Sequence, residues 1–341
     1  MPVGYVYDPI CLDHDTGDHP ESSRRLSAVM AQLGQTGLLG RLVAIPTESA
    51  TIRDLSRVHS PALIEQIRCL AESGGGYLDW DTPVSMRSYE AALHAAGGAI
   101  AATRAVLGGE VGGAIALVRP PGHHATSTRA MGFCLFNNVA IASAWALSFK
   151  PALRVAIVDF DVHHGNGTME AFREDPRVLY VSLHQYPFYP GTGHWREKGD
   201  GDGDGTCVNI PLPAQTGDSG YRQAFCRLVE PAVRRFRPDV ILVSAGYDAH
   251  WADPYAWMLL SLSGYRQMAD SLVKLAHELC GGGLVFALEG GYDLTVLAHG
   301  VATTLSAMLN LPYDDPMGPA REPEPCIESL LGQIARWHGL E

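Results

Sequence analysis

The 341-residue sequence predicts an α/β protein built around a parallel sheet, and three observations carry that prediction. Short, almost continuously apolar runs recur along the chain: AIALV, RVAIVDF, VLYVSLH, VNIPL, DVILVSAGYD and GLVFALEGGY. Helical segments fall between most of them, near 137–148, 218–236, 263–280 and 293–309. Runs that are apolar at every position belong to strands covered on both faces, the environment of a parallel sheet. The third observation is chemical. Histidines and aspartates cluster directly after the apolar runs, where the loops at the carboxyl ends of parallel strands build sites.

In chain order, VGYVYD reads as a first strand. The polar loop CLDHDTGDHPESSRR follows, then a helix through about Leu39 with Leu26, Val29, Met30 and Leu33 as its apolar positions. RLVAIP reads as a short strand, while TIRDLSRVHS and PALIEQIRCLAES read as helices, the second opened by Pro61. GGGYLDWDTPVS is a Gly-opened loop carrying Asp79 and Asp81. An Ala-rich run from about Met86 to Leu107 predicts a long buried helix, despite Gly97 and Gly98. The strand–helix alternation then runs to about residue 309, before a Pro-rich stretch, PYDDPMGPAREPEP, and a short C-terminal helix. No linker or repeat interrupts the chain, so one domain over 1–341 is expected.

Composition narrows the function. Hydrophobic residues make up 46% of the chain and charged residues 18%, ordinary for a protein with a sizeable core. No run approaches the ~18 apolar residues of a membrane span. MPVGYVYD has no basic region and enters a strand at once, so a signal peptide is not expected and a cytoplasmic location is. The seven cysteines are scattered and form no CxxC pair, which argues against a disulfide framework or a thiolate zinc site. A net charge of −12 argues against nucleic-acid or anionic-membrane binding and is compatible with a cationic substrate. GDGDGDGT resembles a calcium loop but lacks the bidentate Glu, and reads as a surface turn.

Two loops carry the chemistry. RPPGHHATSTRAMGFCLFNN (119–138) places His123 and His124 on a turn after a strand, and DFDVHHGNGT places Asp159, Asp161 and His163 after another. Asp161 and His163, two apart at a strand end, point to one side. Asp248 follows the strand DVILV, where an acid is costly to bury without a partner or a metal, and is the best third ligand. Two carboxylates and one histidine suit zinc or iron(II), with room for water and a substrate oxygen. His123 and His124 are either ligands themselves or, since neighbours on a turn diverge, one base facing water and one histidine paired to a carboxylate such as Asp159. His164 reads as a packed or hydrogen-bonded histidine. Tyr292 follows two glycines, which let the backbone turn the phenol toward the strand ends as an oxyanion donor.

Taken together, RPPGHH, GFCLFNN, DFDVHHGNGT, YPGTG, SAGYD and EGGY, in this order and spacing, resemble the zinc-dependent histone deacetylase family, including its bacterial amidohydrolase and acetylpolyamine-deacetylase members. The resemblance runs from HPESSRRL at 19–26 to EGGY at 289–292. It implies an arginase-like three-layer α/β fold with a central, mostly parallel sheet of about eight strands and the site at their carboxyl ends. It implies one zinc per chain on Asp161, His163 and Asp248. His124 matches the general base, His123 the second, electrostatic histidine, Asp159 the partner of His123 and Asn166 the partner of His124. Tyr292 matches the tyrosine that polarises the acyl carbonyl. Phe133 and Tyr189 match the aromatic walls of the acyl-lysine channel, and Arg25 matches an arginine near the acetate-release pocket. A structural potassium is implied on the side chains of Asp159 and Ser182 and the backbone carbonyls of Asp161, His163 and Leu183.

Two positions bear on substrate. At the gate the chain reads Asp253-Pro254-Tyr255, so Tyr255 stands where polyamine-selecting members carry Glu. Asp81 matches the acid that holds a peptide backbone, with Asp79 as a near competitor. The expected partner is thus an acylated lysine peptide or a small acylated amine, with the oligomeric state open. Two other readings compete: a binuclear manganese ureohydrolase, for which Asn166 and His250 stand where carboxylates belong, and a non-catalytic acyl-lysine binding protein.

Overall fold

A computed structural model describes all 341 residues. The ten strands, in chain order, are β1 (Val3–Tyr7), β2 (Val43–Ala44), β3 (Gly76–Tyr77), β4 (Pro83–Val84), β5 (Gly113–Leu117), β6 (Val155–Asp159), β7 (Val178–Gln185), β8 (Cys207–Leu212), β9 (Val240–Ala245) and β10 (Leu284–Leu288). Eight of them form one sheet in the order β2-β1-β5-β10-β9-β6-β7-β8, and every pairing in it is parallel. The sheet is the central eight-stranded one expected, wholly rather than mostly parallel.

Alternate residues of one strand serve opposite faces, as the two-residue period of a strand requires. In β5, Ile115 and Leu117 join an apolar cluster of 50 buried residues, while Ala114 and Ala116 join a second cluster of 42. The comparable sizes mean that both faces are covered, which explains why these strands read as unbroken apolar runs.

The principal helices are α1 (Arg24–Gln35), α2 (Ile52–Leu55), α3 (Pro61–Glu72), α4 (Ser88–Leu107), α5 (Asn138–Phe149), α6 (Asn166–Phe172), α7 (Asp218–Ala224), α8 (Glu230–Phe236), α9 (Leu262–Leu279), α10 (Leu294–Met308) and α11 (Glu328–His338). Gly97 in α4 is explained by packing. A Cβ there would strike the carbonyl of Glu48, on the segment whose Ala50 N–H donates to the Leu93 carbonyl at 2.9 Å.

Several elements differ from expectation. RLVAIP yields only two paired residues, both exposed, on the edge of the sheet. TIRDLSRVHS yields a single turn, closed by a Thr51–Asp54 capping box. The Gly-opened loop folds back as a small antiparallel hairpin, β3–β4. The helix read over 218–236 widens into a π turn at Phe225–Val229. Pro231, at the start of α8, has no N–H to donate back into the preceding turn, and the chain relaxes there.

Candidate active site

Sheet order assembles the site. β5, β10, β9 and β6 are consecutive neighbours in the sheet although scattered in sequence. Their carboxyl-end loops therefore meet, bringing His123 and His124, Tyr292, Asp248, and Asp161 with His163 to one place.

Asp161, His163 and Asp248 each offer a ligand atom, and these atoms all lie within 4.8 Å of one another. His163 Nδ1 is 3.1 Å from Asp161 Oδ1 and 3.2 Å from Asp248 Oδ2. Backbone amides fix both carboxylates: Asp161 Oδ2 accepts from Gly290 N at 2.8 Å, and Asp248 Oδ1 accepts from Val162 N at 3.0 Å. Asp248 Oδ2 is buried, and apart from the His163 ring nitrogen at 3.2 Å it meets no polar partner. Burial, and next the Asp161 carboxylate, push the Asp248 pKa up, so an anion there needs a nearby cation. Gly290 leaves that space open, since a Cβ on it would run into both carboxylates. Orphaned oxygen, donor set and open space all fit a divalent metal ion. His250 does not join this cluster, and Asn166 is engaged with His124 instead.

The two histidines do not diverge as the turn suggests; their ring centroids are 4.1 Å apart. Different partners hold them. His123 Nδ1 lies 3.1 Å from Asp159 Oδ2, and its Nε2 is 3.7 Å from Asp161 Oδ1. Burial works against its charge, but the Asp161 and Asp159 carboxylates outweigh it and hold the pKa at about 10. His124 Nδ1 meets a neutral partner, Asn166 Oδ1, at 2.8 Å. Burial, then the neighbouring His123 and His163, drive the His124 pKa well down. Adjacent imidazoles thus receive opposite protonation preferences.

A cavity of about 230 Å³ opens above this cluster. His124, His163, Phe133, Tyr189, Tyr255 and Tyr292 line it, as do Trp80, Asp81 and Phe188. Phe133 meets Tyr292 edge-on with centroids 5.7 Å apart, and Tyr189 meets His124 at 5.1 Å. Phe133 adopts φ 68°, a conformation disfavoured for a non-glycine residue, and its N–H donates to Thr82 Oγ1 at 3.2 Å. Phe188 stacks on His163 at 5.3 Å and was missed in the sequence reading, although it directly precedes Tyr189. The structure separates the two candidate acids. Asp79 lies 3.7 Å from an Arg129 guanidinium nitrogen, whereas Asp81 lines the cavity and keeps a buried oxygen without a partner.

Behind the site, Arg25 pairs with Glu21 at 3.1 Å, but it also donates to the carbonyls of Gly291, at 2.8 Å, and Glu289. Arg119 grips the same Glu21 carboxylate with two nitrogens, at 2.6 and 2.7 Å. Glu289 receives the N–H groups of Gly122, at 2.7 Å, and His123, at 3.2 Å. Glu289 and Arg119 were not singled out from sequence. Burial would raise the Glu21 pKa, but Arg119 and Arg25 hold it far below the ordinary range. A depressed carboxylate stabilises the fold at neutral pH and loses that contribution only as pH falls below its unfolded value. Glu21→Ala strands two buried guanidinium groups and should cost about 3–5 kcal/mol in denaturant unfolding at pH 7.

Of the remaining predicted positions, Ser182 is the register partner of Asp159 across β6 and β7, with its Oγ 2.9 Å from His184 Nδ1, and Leu183 is buried beside it in β7. His164 bonds Thr192 and Asn209, at 2.7 and 3.1 Å.

Comparison with known proteins agrees with this geometry. Residues 19–308 match the profile described as the histone deacetylase domain. A probable deacetylase of Archaeoglobus fulgidus is 40% identical over 335 residues, covering 97% of this chain and 92% of its own. A histone deacetylase-like amidohydrolase of Pseudomonas aeruginosa is 42% identical over 295 residues, covering 86% of this chain and 76% of its own. The crystal structure of the HDA15 HD domain superimposes with a TM-score of 0.90 at 34% identity, covering 99% of this chain and 94% of that one.

Proposed function

The chain belongs to the histone deacetylase family, and on that premise we propose that it is a zinc-dependent hydrolase that removes acetyl or another short acyl group from a linear acylated amine. The observation that carries the proposal is the meeting, in one aromatic cavity, of a buried Asp–His–Asp cluster, two oppositely biased histidines and Tyr292.

Asp161, His163 and Asp248 would hold the zinc. A zinc ion supplies Lewis acidity, which polarises a carbonyl and makes water more acidic. The other steps belong to the chain. His124 is kept neutral, and with Nδ1 committed to Asn166 its Nε2 is free to take the proton from the attacking water. The same nitrogen then returns a proton to the leaving amine. His123, whose Nδ1 lies 3.1 Å from the Asp159 carboxylate that supports its charge, would stabilise the charge that builds up in the transition state. Tyr292 donates a hydrogen bond from its hydroxyl to the developing oxyanion, while Phe133, Tyr189 and Phe188 hold a narrow aliphatic chain and exclude water. Asp159 and Ser182, facing each other in register, with the carbonyls of Asp161, His163 and Leu183, would hold a structural potassium.

The cavity mouth favours acylated lysine in a peptide. Tyr255 brings no charge there for a distal ammonium, while the Asp81 carboxylate in the cavity wall would be the acceptor for a substrate N–H. On zinc-loaded protein, kcat/KM for acetyl-lysine peptides should exceed that for acetylputrescine, acetylcadaverine and acetylspermidine by ~100-fold, about 2.7 kcal/mol. The reverse preference would make the polyamines the substrates and give the gate another meaning.

A further inference from the structure

Asp253 is a buried acid, 4% exposed, whose only charged neighbour of note is another carboxylate, Asp248. All of its hydrogen bonds come from backbone amides. Oδ2 accepts from Tyr292 N at 2.7 Å and from Asp293 N at 3.0 Å, and Oδ1 accepts from Tyr255 N at 3.0 Å. One carboxylate thereby joins the loop after β9, which carries the gate, to the loop after β10, which carries the phenol.

We propose that Asp253 is a positioning residue that aims Tyr292 at the reacting carbonyl and couples that aim to the channel mouth at Tyr255. The inference rests on the oxyanion-donor reading of Tyr292.

Tyr292 needs such an anchor. Gly290 and Gly291 precede it, and α10 begins only at Leu294, so no regular element sets its backbone. Arg25 pins the carbonyl side of the loop, at Glu289 and Gly291. Asp253 pins the amide side. Burial, followed by the Asp248 carboxylate, raises the Asp253 pKa to about 7, against which the three N–H donors favour the ionised form. Oδ1 also folds the gate so that Tyr255 lies against Tyr292, with ring centroids 4.9 Å apart. A group bound against Tyr255 therefore presses on the element that holds the donor.

The sharpest probe is Asp253→Asn, nearly isosteric. An amide offers one oxygen and one NH2, so it can accept on the Tyr292 side or on the Tyr255 side but must oppose a donor with a donor on the other. With zinc-loaded protein and an acetyl-lysine peptide, kcat should fall roughly 10–100-fold, KM should change by less than about 3-fold and zinc content should be unchanged. In a Tyr292→Phe background the same substitution should cost less than about 3-fold, since nothing is left to aim. Single effects that multiply in the double variant, or a normal kcat in Asp253→Asn, would overturn the proposal. A normal kcat in Tyr292→Phe alone would overturn the donor reading itself. Amide exchange in the unsubstituted protein gives a readout independent of turnover and of how the variant folds. The Tyr292 and Asp293 amides should exchange at least ~100-fold more slowly than those of exposed loops, and exchange at loop rates would overturn the clasp.

Discussion

Asp248→Asn should abolish zinc retention and lower kcat/KM by ~10³ or more, while the metal-free protein unfolds at the same denaturant concentration as the parent or a higher one. The opposite signs follow from the two oxygens of one carboxylate. Oδ1 accepts from Val162 N, a contact that an Asn carbonyl oxygen can keep. Oδ2 is buried with only the His163 ring nitrogen near it, at 3.2 Å, and burial and the Asp161 carboxylate disfavour its charge by more than His163 offsets. Without metal that charge is a cost to the fold, and removing it relieves the cost. With metal the same charge is what binds. Metal analysis by mass spectrometry beside a urea titration reads both effects. A variant that kept one zinc per chain would exclude Asp248 as a ligand.

Tyr292→Phe should lower kcat by ~10²–10³, about 3–4 kcal/mol of transition-state stabilisation, with KM within a few-fold of the parent and zinc still bound. The ring rests on contacts that Phe keeps: Phe133 edge-on at 5.7 Å, Tyr255 at 4.9 Å and the Arg25 guanidinium 5.3 Å from its centroid. The substitution thus removes a hydrogen-bond donor and little else. Steady-state kinetics with an acetyl-lysine peptide measures it. Near-parental turnover would show that another group meets the oxyanion.

The residues most legible in the sequence are those whose partners are local or whose pattern repeats. β5, β6, β9 and β10 were visible because strands covered on both faces must be apolar at every position. Asp161 and His163 were visible because a spacing of two at a strand end is itself a geometric statement. The clasps were not visible. Glu289 bonds residues 166 and 167 positions away, and Asp253 bonds residues 39 and 40 away. In each case the partner is a backbone amide, which every residue but proline offers, so no side-chain pattern marks it. The close approach of His123 and His124 was misjudged for a related reason. The local turn does not set their orientation alone, because Asp159 and Asn166, 36 and 42 residues further on, each hold one ring. Short elements such as β3–β4 escaped because two paired residues are too few to show a period.

The proposed chemistry requires one zinc per chain on Asp161, His163 and Asp248. The most direct test is to strip the protein with a chelator and titrate zinc back while following deacetylation of an acetyl-lysine peptide. Turnover should be absent without metal, rise in proportion to added zinc and reach a plateau at one equivalent per chain. Full turnover in the stripped protein, or a plateau reached only with two manganese ions, would contradict that chemistry.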